Sequence, residues 1–225
     1  MSETPPALPC DPEPRSPRYG AGQHPAKRDQ ILDGAHRVFL QLGFDAAGMA
    51  DITREAGVSK GTIYVYFAGK DDLFEALMER ERDAMFANFA AVLNSDGSIR
   101  DRLQIYGRTL TRLLCSAEVI QAHRAIIGVA ERKPEVAARF YAKGAQRGTA
   151  LLQRFLTDAV AAGNLHGCAN ELAAQQFIEL CLAGLFRQRL LGHMAATPTE
   201  AHISRNVDAA VAVFMAAYGG AEPKT

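Results

Sequence analysis

From Pro25 onward, apolar side chains recur at Ile31, Leu32, Ala35, Val38, Phe39 and Leu42. That spacing puts them on one face of a helix. Gly43 ends the helix, because glycine tolerates the positive φ that follows a last turn, and Phe44 then folds back onto the helix end. A short helix is predicted from about Met49 to Ala56, stopped by Gly57, and a third begins after Ser59, a good N-cap. A fourth runs from about Lys70 to Leu93. Leu73, Phe74, Leu77, Met78, Met85, Phe89, Val92 and Leu93 form its apolar side, and Asp71 and Asp72 sit at its electropositive start. Asn94-Ser95-Asp96-Gly97 breaks it.

Beyond that loop the same periodicity predicts helices over about Ile99 to Leu114, Ala117 to Lys133, Pro134 to Ala162, Glu171 to Leu191 and Pro198 to Tyr218. Ser98 with Asp101 resembles a capping box, Pro134 suits a first helical position and Gly163 ends a helix. Thr197-Pro198-Thr199-Glu200 combines a capping box with proline at N1. No run alternates β-branched and polar residues between hairpin turns, so no sheet is expected. The fold class is all-α, with about nine helices, which excludes the parallel-sheet cofactor folds; no cofactor is expected.

Composition narrows this further. The chain has 225 residues, 48% of them hydrophobic and 22% charged, enough to bury the core of one or two domains. Residues 1–24 differ: Pro5, Pro6, Pro9, Pro12, Pro14 and Pro17 lie among glycine, serine and charged residues, with too little apolar surface to offset ordering entropy. A disordered arm is expected there. Arg15, Arg18 and His24 suit a DNA minor groove, although composition fits a solvated tail as well. No stretch of about 18 apolar residues and no basic-then-apolar leader occurs, so no membrane span or signal is expected, and the cytoplasm is the expected compartment. Cys10, Cys115, Cys168 and Cys181 are too scattered for a zinc site or a disulfide framework.

Formal net charge is zero, with 25 basic and 25 acidic residues. Whole-molecule electrostatics therefore does not advertise nucleic-acid binding. Between Lys27 and Lys70 the balance is nearly even: Lys27, Arg28, Arg37, Arg54, Lys60 and Lys70 against Asp29, Asp33, Asp45, Asp51 and Glu55. Any DNA affinity must come from local geometry.

That geometry is suggested by Met49 to Phe67, MADITREAGVSKGTIYVYF. Two short helices flank the turn Ala56-Gly57-Val58-Ser59, the form of a helix-turn-helix. Ile52, Ala56, Val58 and Ile63 pack the helices together and leave the start of the second facing outward. Ser59, Lys60, Gly61, Thr62 and Tyr64 suit a DNA groove. Hydroxyls and a lysine serve phosphates, glycine lets the backbone approach, the tyrosine reaches a phosphate or base edge, and free N–H groups at the helix start attract phosphate. Spacing alone fits an ordinary capped helical corner equally well.

Gly43-Phe44, Met49, Ile52, Ala56-Gly57-Val58-Ser59, Gly61, Tyr64, Phe67, Lys70 and Leu73 resemble the DNA-binding domain of TetR/AcrR regulators over about Pro25 to Phe74. The resemblance implies that Thr62 and Tyr64 lie on the recognition helix, that Lys70 contacts a phosphate, and that Ser59 and Lys60 lie close to the backbone. Lys27, Ala47 and Tyr66 complete the candidate DNA-facing set. Ala47 and Gly48 stand where the family usually has a capping, phosphate-touching threonine, so a cap worth roughly 1 kcal/mol and one DNA contact are expected to be missing. Gly69 replaces the usual Ser or Asn cap, and Thr53 stands where alanine is common.

Gly57-Val58-Ser59-Lys60-Gly61 also satisfies the G-x-S-x-G pattern of a hydrolase nucleophile elbow. That chemistry needs a buried strand leading into Ser59, and the preceding segment is helical in period.

The segment from about Ala122 to Leu165 resembles the C-terminal domain of AefR-like members of the same superfamily. The resemblance implies a small-molecule pocket among the fourth to eighth helices, with Phe89, Tyr106, Leu110, His123, Ile127, Tyr141, Phe177 and Cys181 as candidates. Ordinary core is the competing reading for each. It also implies a homodimer through the last two helices, whose apolar excess runs over Leu172, Phe177, Leu180, Leu185 and Leu191, then Ile203, Val207, Ala210, Val211, Phe214, Ala217 and Tyr218. The expected organisation is an arm over 1–24, a helix-turn-helix domain over 25–71, a ligand-binding and dimerisation domain over 72–218 and a tail over 219–225. The function so implied is a repressor released from a palindromic double-stranded DNA operator by an apolar or amphipathic effector. A DNA-binding dimer without effector, and a hydrolase, are the alternatives.

Overall fold

The computed structural model describes residues 24–167 and 170–219. All but His24 of the expected arm, Cys10, Cys168, and all but Gly219 of the expected tail lie outside these residues. Eleven α-helices account for the described chain: α1 (Pro25–Ala46), α2 (Met49–Glu55), α3 (Lys60–Tyr66), α4 (Lys70–Leu93), α5 (Ile99–Leu114), α6 (Ala117–Val129), α7 (Pro134–Tyr141), α8 (Arg147–Ala161), α9 (Glu171–Leu182), α10 (Phe186–Leu190) and α11 (Glu200–Tyr218). The all-α expectation holds: among the described residues β-pairing is limited to an isolated bridge between Leu165 and Gly219. No described helix is long and apolar enough to cross a membrane.

The chain separates into two compact units at Asp83 and Ala84. The first, the head, is built on Ile31, Leu32, Ala35 and Val38 of α1, Ile52 of α2, Ile63 of α3, and Leu73 and Leu77 of α4. Gly43 adopts φ 75°, ψ 165°, so the regular part of α1 ends there as its sequence requires, and Phe44 to Ala46 add one further turn. Phe44 folds back between Phe39 and Phe74, with ring centres 5.7 and 4.8 Å away. Leu42 is 49% exposed rather than part of the buried face.

The second unit has its own core. Phe86, Phe89, Tyr106, Phe177 and Phe214 follow one another through it at centroid spacings of 5.1–6.4 Å, and Leu103, Leu152, Leu156, Ile203, Val207 and Val211 surround them. α11 packs against α5 and α9.

Two helices expected to be continuous are not. The segment over Pro134 to Ala162 loosens into one π-helical turn at Ala142–Gln146 between α7 and α8, a register change that no residue type announces. Glu171 to Leu191 breaks at Ala183 (ψ 125°) and Gly184 (φ 72°). The Cys181 carbonyl freed by that break accepts from Asn206 Nδ2 at 2.7 Å and Thr111 Oγ1 at 3.2 Å, and Leu185 turns into the core. α6 ends at Val129 rather than Lys133, in a turn. α11 starts two residues later than expected: Thr199, not Thr197, is the N-cap, its hydroxyl accepting from His202 N, and Pro198 stands outside the helix. The Ser98–Asp101 capping box is formed.

Candidate nucleic-acid interface

α2 and α3 meet through Ile52, Ala56 and Ile63, all buried. The turn between them is held on both sides. Gly57 takes the left-handed φ of 62° that lets the chain reverse after α2, and Val58 N donates to Thr53 O at 3.2 Å. Gln30 of α1 donates to the Ala56 carbonyl at 2.7 Å. Gly34 lies so close that a Cβ there would stand 2.7 Å from Cα and Cβ of Ala56. α1 thus clamps the corner of the motif, a contact that sequence patterning did not single out.

Ser59 caps α3 as expected, accepting from Thr62 N at 3.0 Å and bonding the Thr62 hydroxyl at 2.8 Å. Ile63, Tyr66 and Phe67 turn toward the head core. Lys60, Gly61, Tyr64 and Val65 are exposed and Thr62 is half-buried. α3 therefore presents one polar, hydroxyl-rich face that also carries an uncovered valine, which sequence reading had passed over.

Other members of the candidate set are placed differently. Lys70 Nζ donates to the carbonyls of Phe44 (2.9 Å), Ala47 (3.1 Å) and Asp45 (3.3 Å), and lies 4.5 Å from the centre of the Phe44 ring. Its ammonium ties the end of α1 to the approach to α2. The Ala47 side chain is buried, its methyl packed in the head core. Gly48 N–H is accepted by Asp51 Oδ2 at 3.2 Å; the reciprocal side-chain cap is missing, because glycine has none. Lys27 is held to Gln30 Oε1 at 2.9 Å, and Tyr66 is half-buried.

Electrostatics follows the same division. Arg37 pairs with Glu55 and Arg54 with Asp51, which leaves Lys60 as the cation on the α3 face with no hydrogen bond or ion pair to a described residue. Ser59 follows a helix and a turn, not a strand, and its hydroxyl is taken up in capping. The nucleophile-elbow alternative therefore lacks the strand that would raise the hydroxyl above a sheet.

The eight effector candidates differ in burial. Phe89, Tyr106, Leu110, Phe177 and Cys181 are contiguous core. Burial pushes the Cys181 thiol up to about 12 and raises the Tyr106 phenol further, with Cys181 adding to the latter. His123 sits between Phe140 and Phe186, edge-on to both, with Nδ1 2.7 Å from Val119 O. Ile127 and Tyr141 are 59% and 54% exposed. On the last helices, Phe177, Leu185, Ile203, Val207, Ala210, Val211 and Phe214 are already buried within the chain. Leu180, Val213, Ala217 and Tyr218 border a concavity of about 520 Å³ between α9 and α11.

Residues 31–77 match the family model of bacterial regulatory proteins of the tetR family, and residues 101–220 match that of the AefR-like transcriptional repressor C-terminal domain. The chain is 34% identical over 128 residues to an HTH-type transcriptional repressor, Rv1474c of Mycobacterium tuberculosis. That match covers 54% of this chain and 66% of the repressor, so the chain spans just under two thirds of that curated relative. Among solved structures, a TetR-family transcriptional regulator from Mesorhizobium loti matches with a TM-score of 0.66 and 26% identity, covering 86% of this chain and 97% of that one. The flavonoid-responsive regulator FrrA matches with a TM-score of 0.59 and 27% identity, covering 88% and 99%.

Proposed function

The chain belongs to the TetR family of bacterial transcriptional regulators, and from that premise we propose that it is a cytoplasmic, homodimeric repressor that leaves a palindromic DNA operator when a small molecule binds. The observation that carries the DNA-reading role is the outward face of α3: Lys60, Gly61, Thr62 and Tyr64 stand exposed or half-exposed on a helix whose opposite side, Ile63 and Phe67, is locked into the head core. Thr62 and Tyr64 read base edges, Ser59 and Lys60 lie along the phosphates, and Val65 offers an apolar contact suited to a thymine methyl. Two heads, paired through α9 and α11 around Leu180, Val213, Ala217 and Tyr218, read two half-sites one turn apart.

The effector is apolar or amphipathic, and its contacts are drawn from Phe89, Tyr106, Leu110, His123, Ile127, Tyr141, Phe177 and Cys181. A route from effector to DNA is available in α4, which gives Leu73 and Leu77 to the head core and Phe86, Phe89 and Leu93 to the other core. Ligand that repacks Phe89 biases that helix, and a coupling of about 1–3 kcal/mol is sufficient. The close packing of Phe89, Tyr106 and Phe177 favours one second reading, a DNA-binding dimer without effector.

A gel-shift of the purified protein at stated salt, against DNA from around its own gene with unrelated DNA as competitor, tests the first claim. A shift that survives competitor and disappears in Tyr64→Ala, with the dimer retained on sizing, is expected. Unchanged affinity in Tyr64→Ala removes the recognition-helix assignment. A shift that no apolar or amphipathic compound reverses favours the effector-free reading.

A further inference from the structure

A concavity of about 490 Å³ lies among α6, α10 and the segment after α10, bordered by Ala117, Ile120, Gln121, Arg124, Arg189 and Met194. It shares no residue with the effector candidates above, and its size falls within the range of small-molecule sites. Arg189 is 5% exposed. A guanidinium stays charged at any ordinary pH and is costly to bury without a counter-charge. Here no carboxylate borders the opening. Arg189 Nε donates to Cys115 O at 3.1 Å, and Nη1 to the carbonyls of Met194 and Ala195. Nη2, with two further N–H groups, has no acceptor among the described residues.

Arg124 reaches across from α6 to the same place. Its Nε donates to Leu190 O at 2.9 Å and its Nη2 to Arg189 O at 2.8 Å, which leaves Nη1 without an acceptor among the described residues. Both guanidiniums are therefore pinned by backbone carbonyls before any ligand arrives, so little side-chain freedom remains to be lost on binding. α6, which begins at Ala117 after the N-cap Ser116, directs the positive end of its dipole to the same region. Gln121 adds a neutral amide, and Ile120 and Met194 give the opening an apolar wall.

We propose that this concavity is a binding site for a small monocarboxylate, with the carboxylate held between Arg124 and Arg189 and a short apolar body against Ile120 and Met194. Nη2 of Arg189 and Nη1 of Arg124 each offer a carboxylate oxygen a charge-assisted N–H, and the apolar wall favours an organic acid over inorganic phosphate. The inference concerns binding alone and stands independently of whether the chain reads DNA.

The full chain carrying ¹³C-methyl methionine reports directly on the site through Met194, whose signal is identified by its loss in Met194→Leu. Titration with sodium hexanoate is expected to shift the Met194 methyl saturably, while Met49 and Met78 of the head stay in place. 1-Hexanol and inorganic phosphate are expected to bind at least about tenfold more weakly, since they lack the carboxylate or the apolar body. Arg189→Gln removes ties to three carbonyls and risks unfolding, so the decisive variant is Arg124→Gln at the surface, expected to keep its far-ultraviolet circular dichroism and lose at least about tenfold in hexanoate affinity. A Met194 signal indifferent to hexanoate, equal affinity for 1-hexanol or phosphate, or full affinity in folded Arg124→Gln would each overturn the proposal.

Discussion

Replacing Lys70 by methionine keeps the apolar stem and removes the ammonium that joins α1 to the approach to α2. Three carbonyls lose a charged donor. The one on Asp45 is exposed and takes water instead, so the loss rests on the half-buried bonds to Phe44 and Ala47, at about 1 kcal/mol each after solvent exchange. The ammonium 4.5 Å from the Phe44 ring adds about 0.5 kcal/mol. The expected destabilisation is about 2–3 kcal/mol, or a fall in Tm of roughly 5–10 °C for a chain of this size. The chain has no tryptophan, so urea and thermal unfolding are best followed by circular dichroism at 222 nm. The family resemblance gives Lys70 a phosphate instead. If that is its main work, Lys70→Met melts like the wild type and the slope of log affinity against log salt drops by about one phosphate; that pair of results would refute the structural role argued from its three carbonyls.

Gly34→Ala places a methyl 2.7 Å from the backbone of Ala56; the overpacking, about 1–3 kcal/mol, exceeds the helix-propensity gain of about 1 kcal/mol, and urea unfolding together with gel-shift is expected to show net loss of both stability and DNA affinity. Ser59→Ala removes the acceptor for Thr62 N and is expected to cost about 1 kcal/mol by urea denaturation, with a larger proportional loss in DNA binding because α3 frays at its reading end. Cys115 and Cys181 are buried, and their thiols are raised by desolvation, although Arg189 pulls Cys115 back somewhat. Both should resist iodoacetamide in the native protein and react after denaturation, read by peptide mass spectrometry. The same burial sets a pH dependence: the folded chain holds the Cys181 proton up to about 12, whereas the unfolded chain releases it near the ordinary thiol value, about 8.5. Its contribution is complete below that value and is lost as pH rises through the interval, so Cys181→Ala is expected to flatten the alkaline decline in Tm; an unchanged slope counts against a buried neutral thiol.

What the sequence determined by itself was the part of the molecule governed by neighbours a few residues apart. The all-helical class, the starts at Ser59, Ser98 and Pro134, the reversals at Gly43 and Gly57 and the seam of buried Ile52, Ala56 and Ile63 with half-buried Val58 all follow from helical period, capping and the conformational freedom of glycine. The outward face of α3 was legible for the same reason: once Ile63 faces inward, Gly61 and Val65 point away from the core and Thr62 and Tyr64 lie to either side. Tertiary structure decided the rest, because it brings together groups far apart in the chain. Lys70 finds carbonyls 23 to 26 residues away, and Gln30 and Gly34 meet Ala56 across a helix crossing. The break at Ala183–Gly184 is tolerated because Thr111 and Asn206 arrive to satisfy the Cys181 carbonyl, and Arg189 is buried because Cys115, Met194 and Ala195 supply acceptors. A buried polar group's role is set by the partners that replace its water, and pattern along the chain carries no record of which partners those are.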